Sequence, residues 1–260
     1  MHPGERTPPL YVDESGTPGR PGLLFVHGGG VAGWMWEHQR AHFSADHHVL
    51  VPDLPGHGRS AEQAYTSNRA AAEALAELIA QRTDGGRASV VGFSIGAQVT
   101  IELVSRFPHL VNSAVIVSAL ARPVRVGPLL PGLMAVTAPL ARNRLFARAQ
   151  ARALRLPDER FEDYFRDSRA MSRPTLAAIG RENFSFRIPE EWDVQHVPSL
   201  IMAGDREPKA LLDSVRELHR RAADSELYVA PGLGHGIPLQ TPDDFNARVR
   251  TWLDRGRRVA

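Results

Sequence analysis

Ser89-Val90-Val91-Gly92-Phe93-Ser94-Ile95-Gly96 is the stretch that decides how this chain is read. An apolar run gives way to a glycine, a serine and a second glycine. A helix-compatible stretch, Ala97 to Phe107, follows and is ended by Pro108. Strand, tight turn and helix in that order lift the Ser94 hydroxyl clear of a sheet edge. Gly92 and Gly96 suit the turn because strand and helix approach closely, so a side chain at either position would collide with its neighbour. A serine displayed this way is a nucleophile that needs a base.

Outward from that turn the chain alternates short apolar runs with helical patterns. Leu10 to Asp13, Leu23 to Val26, His48 to Pro52, Ser89 to Val91, Ala114 to Val117, Ser199 to Ala203 and Leu227 to Val229 read as strands. Ala70 to Arg82, Leu211 to Ala222 and Phe245 to Leu253 read as helices. Uniformly apolar strands alternating with helices predict an α/β fold, a mostly parallel central sheet with helices on both faces. In such sheets reactive groups sit on loops beyond the carboxyl ends of strands. His27, Asp53, Ser94, Glu207 and His235 all fall there.

One segment breaks the rhythm. From about Leu120 to Trp192 no strand is evident, and seven prolines punctuate what read as short helices. Inserted after the sixth strand, this segment would form a helical lid over the site. The expected organisation is a core domain of residues 1–119 and 193–260 with a helical cap of residues 120–192.

The chain's 260 residues can bury a full core in one domain with an insertion. The absence of cysteine excludes disulfides and thiolate metal ligands. A net charge of +2 gives no reason to expect a nucleic-acid partner. Met1 to Pro9 is polar and Pro-rich, unlike a signal peptide, and no apolar run reaches the roughly 20 residues that span a bilayer. The expectation is a cytoplasmic protein without an integral membrane segment, a monomer or homodimer.

The best base for a serine is a histidine, whose pKa lies near neutrality. His235, in the glycine-flanked loop Pro231-Gly232-Leu233-Gly234-His235-Gly236 after the last strand, can return over Ser94. A third group must fix the imidazole tautomer and stabilise the imidazolium. The segment Gly204-Asp205-Arg206-Glu207 offers two carboxylates after the preceding strand. Glu207 is favoured for its longer reach, with Asp205 the alternative. The oxyanion of acyl transfer needs preorganised N–H donors. Ile95, at a helix N-terminus, and Gly29, two residues beyond His27, supply the candidates.

These residues together resemble the α/β-hydrolase superfamily, in particular its small capped, esterase- or lipase-like serine hydrolases. The resemblance rests on His27-Gly28-Gly29, on Asp53-Leu54-Pro55-Gly56-His57-Gly58-Arg59-Ser60, on the serine turn, on Gly234-His235, and on the order nucleophile, acid, histidine. It implies the corresponding fold and a triad of Ser94, Glu207 and His235 with an oxyanion hole of Gly29 and Ile95. The family usually has aspartate three residues after a glycine, where this chain has Glu207, and many relatives carry glutamate where it has Gln240. The resemblance implies hydrolysis of an ester, thioester or lactone of a small, apolar acyl substrate, with no cofactor and no metal. The rivals are carbon–carbon bond hydrolysis, cofactor-free peroxide chemistry and a non-catalytic receptor. Gly236 after the histidine, where carbon–carbon hydrolases usually carry an aromatic residue, lowers the first of them.

Other polar residues have simpler readings. His27, Asp53 and His57 are expected to shape loops rather than move protons. Trp34 and Trp36 either line the acyl pocket or pack against the lid. His38 and His42 lie four apart but lack a third ligand, so they read as a solvated helix face. Leu129 to Leu140 is mostly apolar. Arg144, Arg148, Arg152 and Arg155 form a stripe at helical spacing, read chiefly as a solvated face paired with acids such as Glu162.

Overall fold

The computed structural model describes residues 9–124, 143–153 and 156–257. Its sheet has seven strands: β1 (Val12–Gly16), β2 (Gly22–Val26), β3 (His48–Pro52), β4 (Ala88–Phe93), β5 (Val111–Val117), β6 (Ser199–Gly204) and β7 (Ser225–Ala230). They lie in the order β1-β3-β2-β4-β5-β6-β7. Every neighbouring pair is parallel except β1 with β3, which is antiparallel. This is the expected fold class. The antiparallel edge strand has an exposed side, which fits its polar sequence Val-Asp-Glu-Ser-Gly.

Among the described residues the α-helices are α1 (Glu37–Phe43), α2 (Asn68–Arg82), α3 (Ile95–Arg106), α4 (Arg144–Ala153), α5 (Phe161–Ala170), α6 (Arg173–Ser185), α7 (Lys209–Arg221), the short α8 (Ile237–Gln240) and α9 (Pro242–Arg257). Local chemistry sets several boundaries. Ser67 caps α2 by accepting a hydrogen bond from the Ala70 N–H, and Ser172 does the same for α6 through Thr175. Pro108 stops α3 one residue after its C-cap.

Successive residues of each central strand face opposite layers. Leu24 and Val26 join Leu75 and Ile79 of α2 and Val99 and Leu103 of α3 in one core. Leu23 and Phe25 join Trp36, Phe43, Phe245 and Val249 in the other. Burying both faces is what makes these strands read as unbroken apolar runs.

The strand-free segment is helical where described: α4, α5 and α6 leave the sheet between β5 and β6. That position is one strand earlier than expected, after the fifth strand rather than the sixth. The apolar stretch 129–140, Pro128 and Arg155 lie outside the described residues. Among the described residues no helix is long and apolar enough to cross a membrane.

Candidate active site

β4 ends at Phe93, and Ser94 turns the chain into α3 with φ of +55°. Its N–H donates to the Val117 carbonyl at 2.9 Å, and its own carbonyl accepts from Ala97 and Gln98. The flanking glycines are required by contact. A Cβ on Gly92 would lie 2.2 Å from the Thr100 hydroxyl and 2.5 Å from the Gly96 carbonyl oxygen. One on Gly96 would lie 2.4 Å from the His27 carbonyl oxygen. The helix therefore sits almost directly on β4 and the end of β2, and its first turn is fixed where the serine must point.

His235 comes from the loop after β7. Its Nε2 lies 3.1 Å from Ser94 Oγ, and its Nδ1 lies 2.8 Å from Glu207 Oε2. The Glu207 side chain is fully buried, whereas that of His235 is 32% exposed, so the imidazole alone of this pair meets solvent. A Cβ on Gly204 would lie 2.3 Å from the Leu233 carbonyl oxygen, which shows how tightly the end of β6 packs under the histidine loop. Of the two candidate carboxylates it is Glu207 that reaches the imidazole. Asp205 instead accepts from the Gly232 N–H at 2.8 Å and shapes the loop.

Sequence reasoning missed Ser118, the residue after β5. Its buried hydroxyl donates to Glu207 Oε1 at 2.6 Å, and the Gly204 N–H donates to the same oxygen at 3.1 Å. The available signal was faint: a serine directly past the strand next to that of Ser94.

Gly29 and Ile95 are neighbours. A Cβ on Gly29 would meet Ile95 Cγ2 at 3.5 Å and Ile179 Cγ2 of α6 at 3.2 Å. Ile95 is the first residue of α3, where N–H groups have no acceptor within the helix. Beside Ser94 and His235 opens a cavity of about 90 Å³, lined by Val31, Met35, Phe93, Leu156 and Leu239 together with Gly29.

The remaining polar residues hold loops. Asp53 accepts from the N–H groups of Gly33 and Arg59. His27 accepts from the Leu54 N–H through Nε2 at 2.9 Å and donates from Nδ1 to its neighbour's carbonyl. Burial pushes His27 down to about 4 and His57 down to about 3, so both are neutral imidazoles. Trp36 is core, its ring tilted against those of Phe25 and Phe245. Trp34 donates to Asp167 of α5 at 2.6 Å, tying the loop after β2 to the inserted helices. His38 and His42 lie on the exposed side of α1. Arg144 pairs with Glu162, and Arg148 lies over the Phe161 ring at 4.6 Å, so part of the arginine stripe is engaged within the insertion. The buried Gln240 Nε2 has no partner among the described residues.

A sequence profile described as "Alpha/beta hydrolase family" matches residues 23–248. Among curated relatives, an (E)-2-((N-methylformamido)methylene)succinate hydrolase of Acinetobacter baylyi is 22% identical over 96% of this chain and 95% of its own length. A pimeloyl-acyl-carrier-protein methyl ester esterase of Nitrosomonas europaea is 34% identical over 42% of this chain, a match that covers only 41% of the relative. Among solved structures, the enol-lactonase of Burkholderia xenovorans superposes with a TM-score of 0.77 at 21% identity, over 94% of this chain and 96% of the other.

Proposed function

Because the chain belongs to the alpha/beta hydrolase family, we propose that it is a serine hydrolase cleaving a carboxylic ester, thioester or lactone through an acyl-enzyme on Ser94. The observation that carries this reading is the unbroken relay from Ser94 Oγ to His235 Nε2 at 3.1 Å and from His235 Nδ1 to Glu207 Oε2 at 2.8 Å. It has the geometry by which a serine gains a base and the base gains an orienting carboxylate.

In the proposed reaction Ser94 Oγ attacks the substrate carbonyl carbon while its proton passes to His235 Nε2. Glu207 holds the Nδ1–H and offsets the charge on the imidazolium. The N–H groups of Ile95 and Gly29 receive the oxyanion, helped by the N-terminus of α3. His235 then gives its proton to the leaving oxygen or sulfur, and that bond breaks. A water, deprotonated by the same nitrogen, attacks the acyl-enzyme; the acyl bond to Ser94 Oγ breaks, His235 returns the proton to that oxygen, and the carboxylic acid leaves. The helices between β5 and β6 act as a cap, with Ile179 lying over the oxyanion loop.

The cavity supports a short, apolar acyl group. Its volume is only about 90 Å³, and apart from Ser94 and His235 its lining side chains are aliphatic, aromatic or thioether.

The test is labelling by a fluorophosphonate probe, followed by turnover of p-nitrophenyl acetate, butyrate and octanoate. Labelling at Ser94 that is absent in Ser94→Ala, with rates falling from butyrate to octanoate, is the expected result. An unlabelled wild-type protein would overturn the hydrolase reading. Preference for octanoate would overturn the short-acyl assignment alone.

A further inference from the structure

Among the described residues two that are not glycine hold a clearly positive φ: Ser94 at +55° and Ser118 at +57°. Such backbone is strained for a residue with a Cβ and persists only where its surroundings hold it. The two serines stand directly past adjacent strands, β4 and β5. Ser94 takes its conformation from the tight turn into α3, whereas Ser118 directly precedes no helix and lies in none of the sequence motifs quoted above.

The contacts of Ser118 supply a reason. Its N–H donates to the Met202 carbonyl at 2.8 Å, which pins the residue to the neighbouring strand β6. Its hydroxyl donates to Glu207 Oε1 at 2.6 Å, and the residue is only 1% exposed. The preceding residue, Val117, accepts the Ser94 N–H. One dipeptide at the end of β5 therefore holds the backbone of the nucleophile with one residue and the carboxylate of the acid with the next. A glycine would accept this φ without strain. What serine adds at that position is the hydroxyl.

We propose that Ser118 is a positioning residue of the hydrolytic site, whose hydroxyl clamps one oxygen of Glu207 so that the other faces His235. Glutamate has one more side-chain torsion than aspartate, and its terminal torsion is broad, so an unrestrained carboxylate would sample many orientations. Two donors on Oε1, the Ser118 hydroxyl and the Gly204 N–H, remove that freedom and leave Oε2 to receive the Nδ1–H of His235. The inference rests on the reading of Ser94, His235 and Glu207 given above, and explains how the longer acid serves in that relay.

The experiment compares full-length wild type, Ser118→Ala and Ser118→Gly by kcat and KM on p-nitrophenyl acetate, by the rate of fluorophosphonate labelling of Ser94, and by thermal midpoint. A lost hydrogen bond to a buried charge predicts that kcat and the labelling rate fall roughly ten- to hundredfold in both variants. KM should stay within about twofold, since the hydroxyl does not touch substrate. Glycine relieves the backbone strain, so Ser118→Gly should be at least as stable as Ser118→Ala, and it decides the matter if the alanine variant does not fold. A Ser118→Gly protein that labels and turns over like wild type would overturn the proposal and leave Ser118 a structural hydrogen bond. A wild-type protein that does not label at all would remove the hydrolase reading, and this inference with it.

Discussion

Asp205 and Glu207 leave the same loop two residues apart, yet their surroundings give them separate tasks. Glu207 is buried between the Ser118 hydroxyl, the Gly204 N–H and the His235 imidazole. Asp205 faces the loop backbone at Gly232. Glu207→Gln keeps the shape but presents an amide that cannot stabilise an imidazolium, so kcat should fall by about a thousandfold or more. Asp205→Asn removes charge from a group that does not reach the imidazole, and kcat should stay within severalfold of wild type, with a stability change of about 1 kcal/mol or less. Steady-state kinetics of both variants checks the pair, and equal losses would mean that the acid has been misassigned. Gly96 invites a second substitution. A methyl there would stand 2.4 Å from the His27 carbonyl oxygen and 2.5 Å from that of Val26 at the end of β2, an overlap with backbone that requires a shift of α3 against the sheet. Gly96→Ala should therefore lower stability by several kcal/mol by urea titration, beyond the 1–3 kcal/mol or so of ordinary overpacking. It should also slow Ser94 labelling in whatever fraction remains folded.

Between elements, α3, the helix that follows Ser94, is tied to the inserted helices by a buried polar chain. Gln98, one turn past Ser94 and fully buried, donates to the Leu120 carbonyl and to Asn183 of α6. It accepts from Asn68 of α2, whose own carbonyl oxygen accepts from the Tyr65 hydroxyl. Gln98→Leu preserves volume but strands the Asn68 donor and removes the donor shared by three acceptors, the Leu120 carbonyl and two oxygens of Asn183. The expected loss is about 2–4 kcal/mol, read from urea unfolding at unchanged m-value. No sequence pattern announced this chain, because a glutamine inside a helix carries no mark of what it will face. The strands were legible for the opposite reason: burial on both sides forces unbroken apolar runs such as Leu23 to Val26 and Val49 to Val51. β1 was legible as a strand but not in its direction, which follows from pairing at the sheet edge rather than from its own residues. At the site, Ser94 was readable because its glycines are demanded by packing, and His235 because its loop follows the last strand. Asp205 and Glu207 could be separated only by where the end of β6 aims each carboxylate. Ser118 was illegible because one serine after a strand has no periodicity to betray it.

At the scale of the whole molecule, two imidazoles that fold into the core uncharged contribute to the way stability falls with acid. His27 and His57 face each other with ring centroids 4.9 Å apart in the loops that follow β2 and β3. Burial holds their folded values at about 4 and about 3, below the roughly 6.5 of an unfolded chain. Below pH 6.5 the unfolded chain thus binds protons that the folded chain refuses, and unfolding is favoured. The sign is fixed: this contribution is intact above about pH 6.5 and is lost as pH falls toward 4 and then 3, at roughly 1.4 kcal/mol per pH unit for each histidine. The wild-type urea midpoint should therefore drop steeply between pH 7 and pH 5, well above the range in which carboxylates titrate. His57→Asn isolates the cause. Asn can keep a donor near the position of Nδ1, which in the wild type donates to the Pro55 carbonyl, but it does not titrate. The variant loses some packing and sits lower at every pH, so the informative quantity is the slope of stability against pH, which should fall to about half that of wild type. An unchanged slope would show that the acid sensitivity of this fold arises elsewhere.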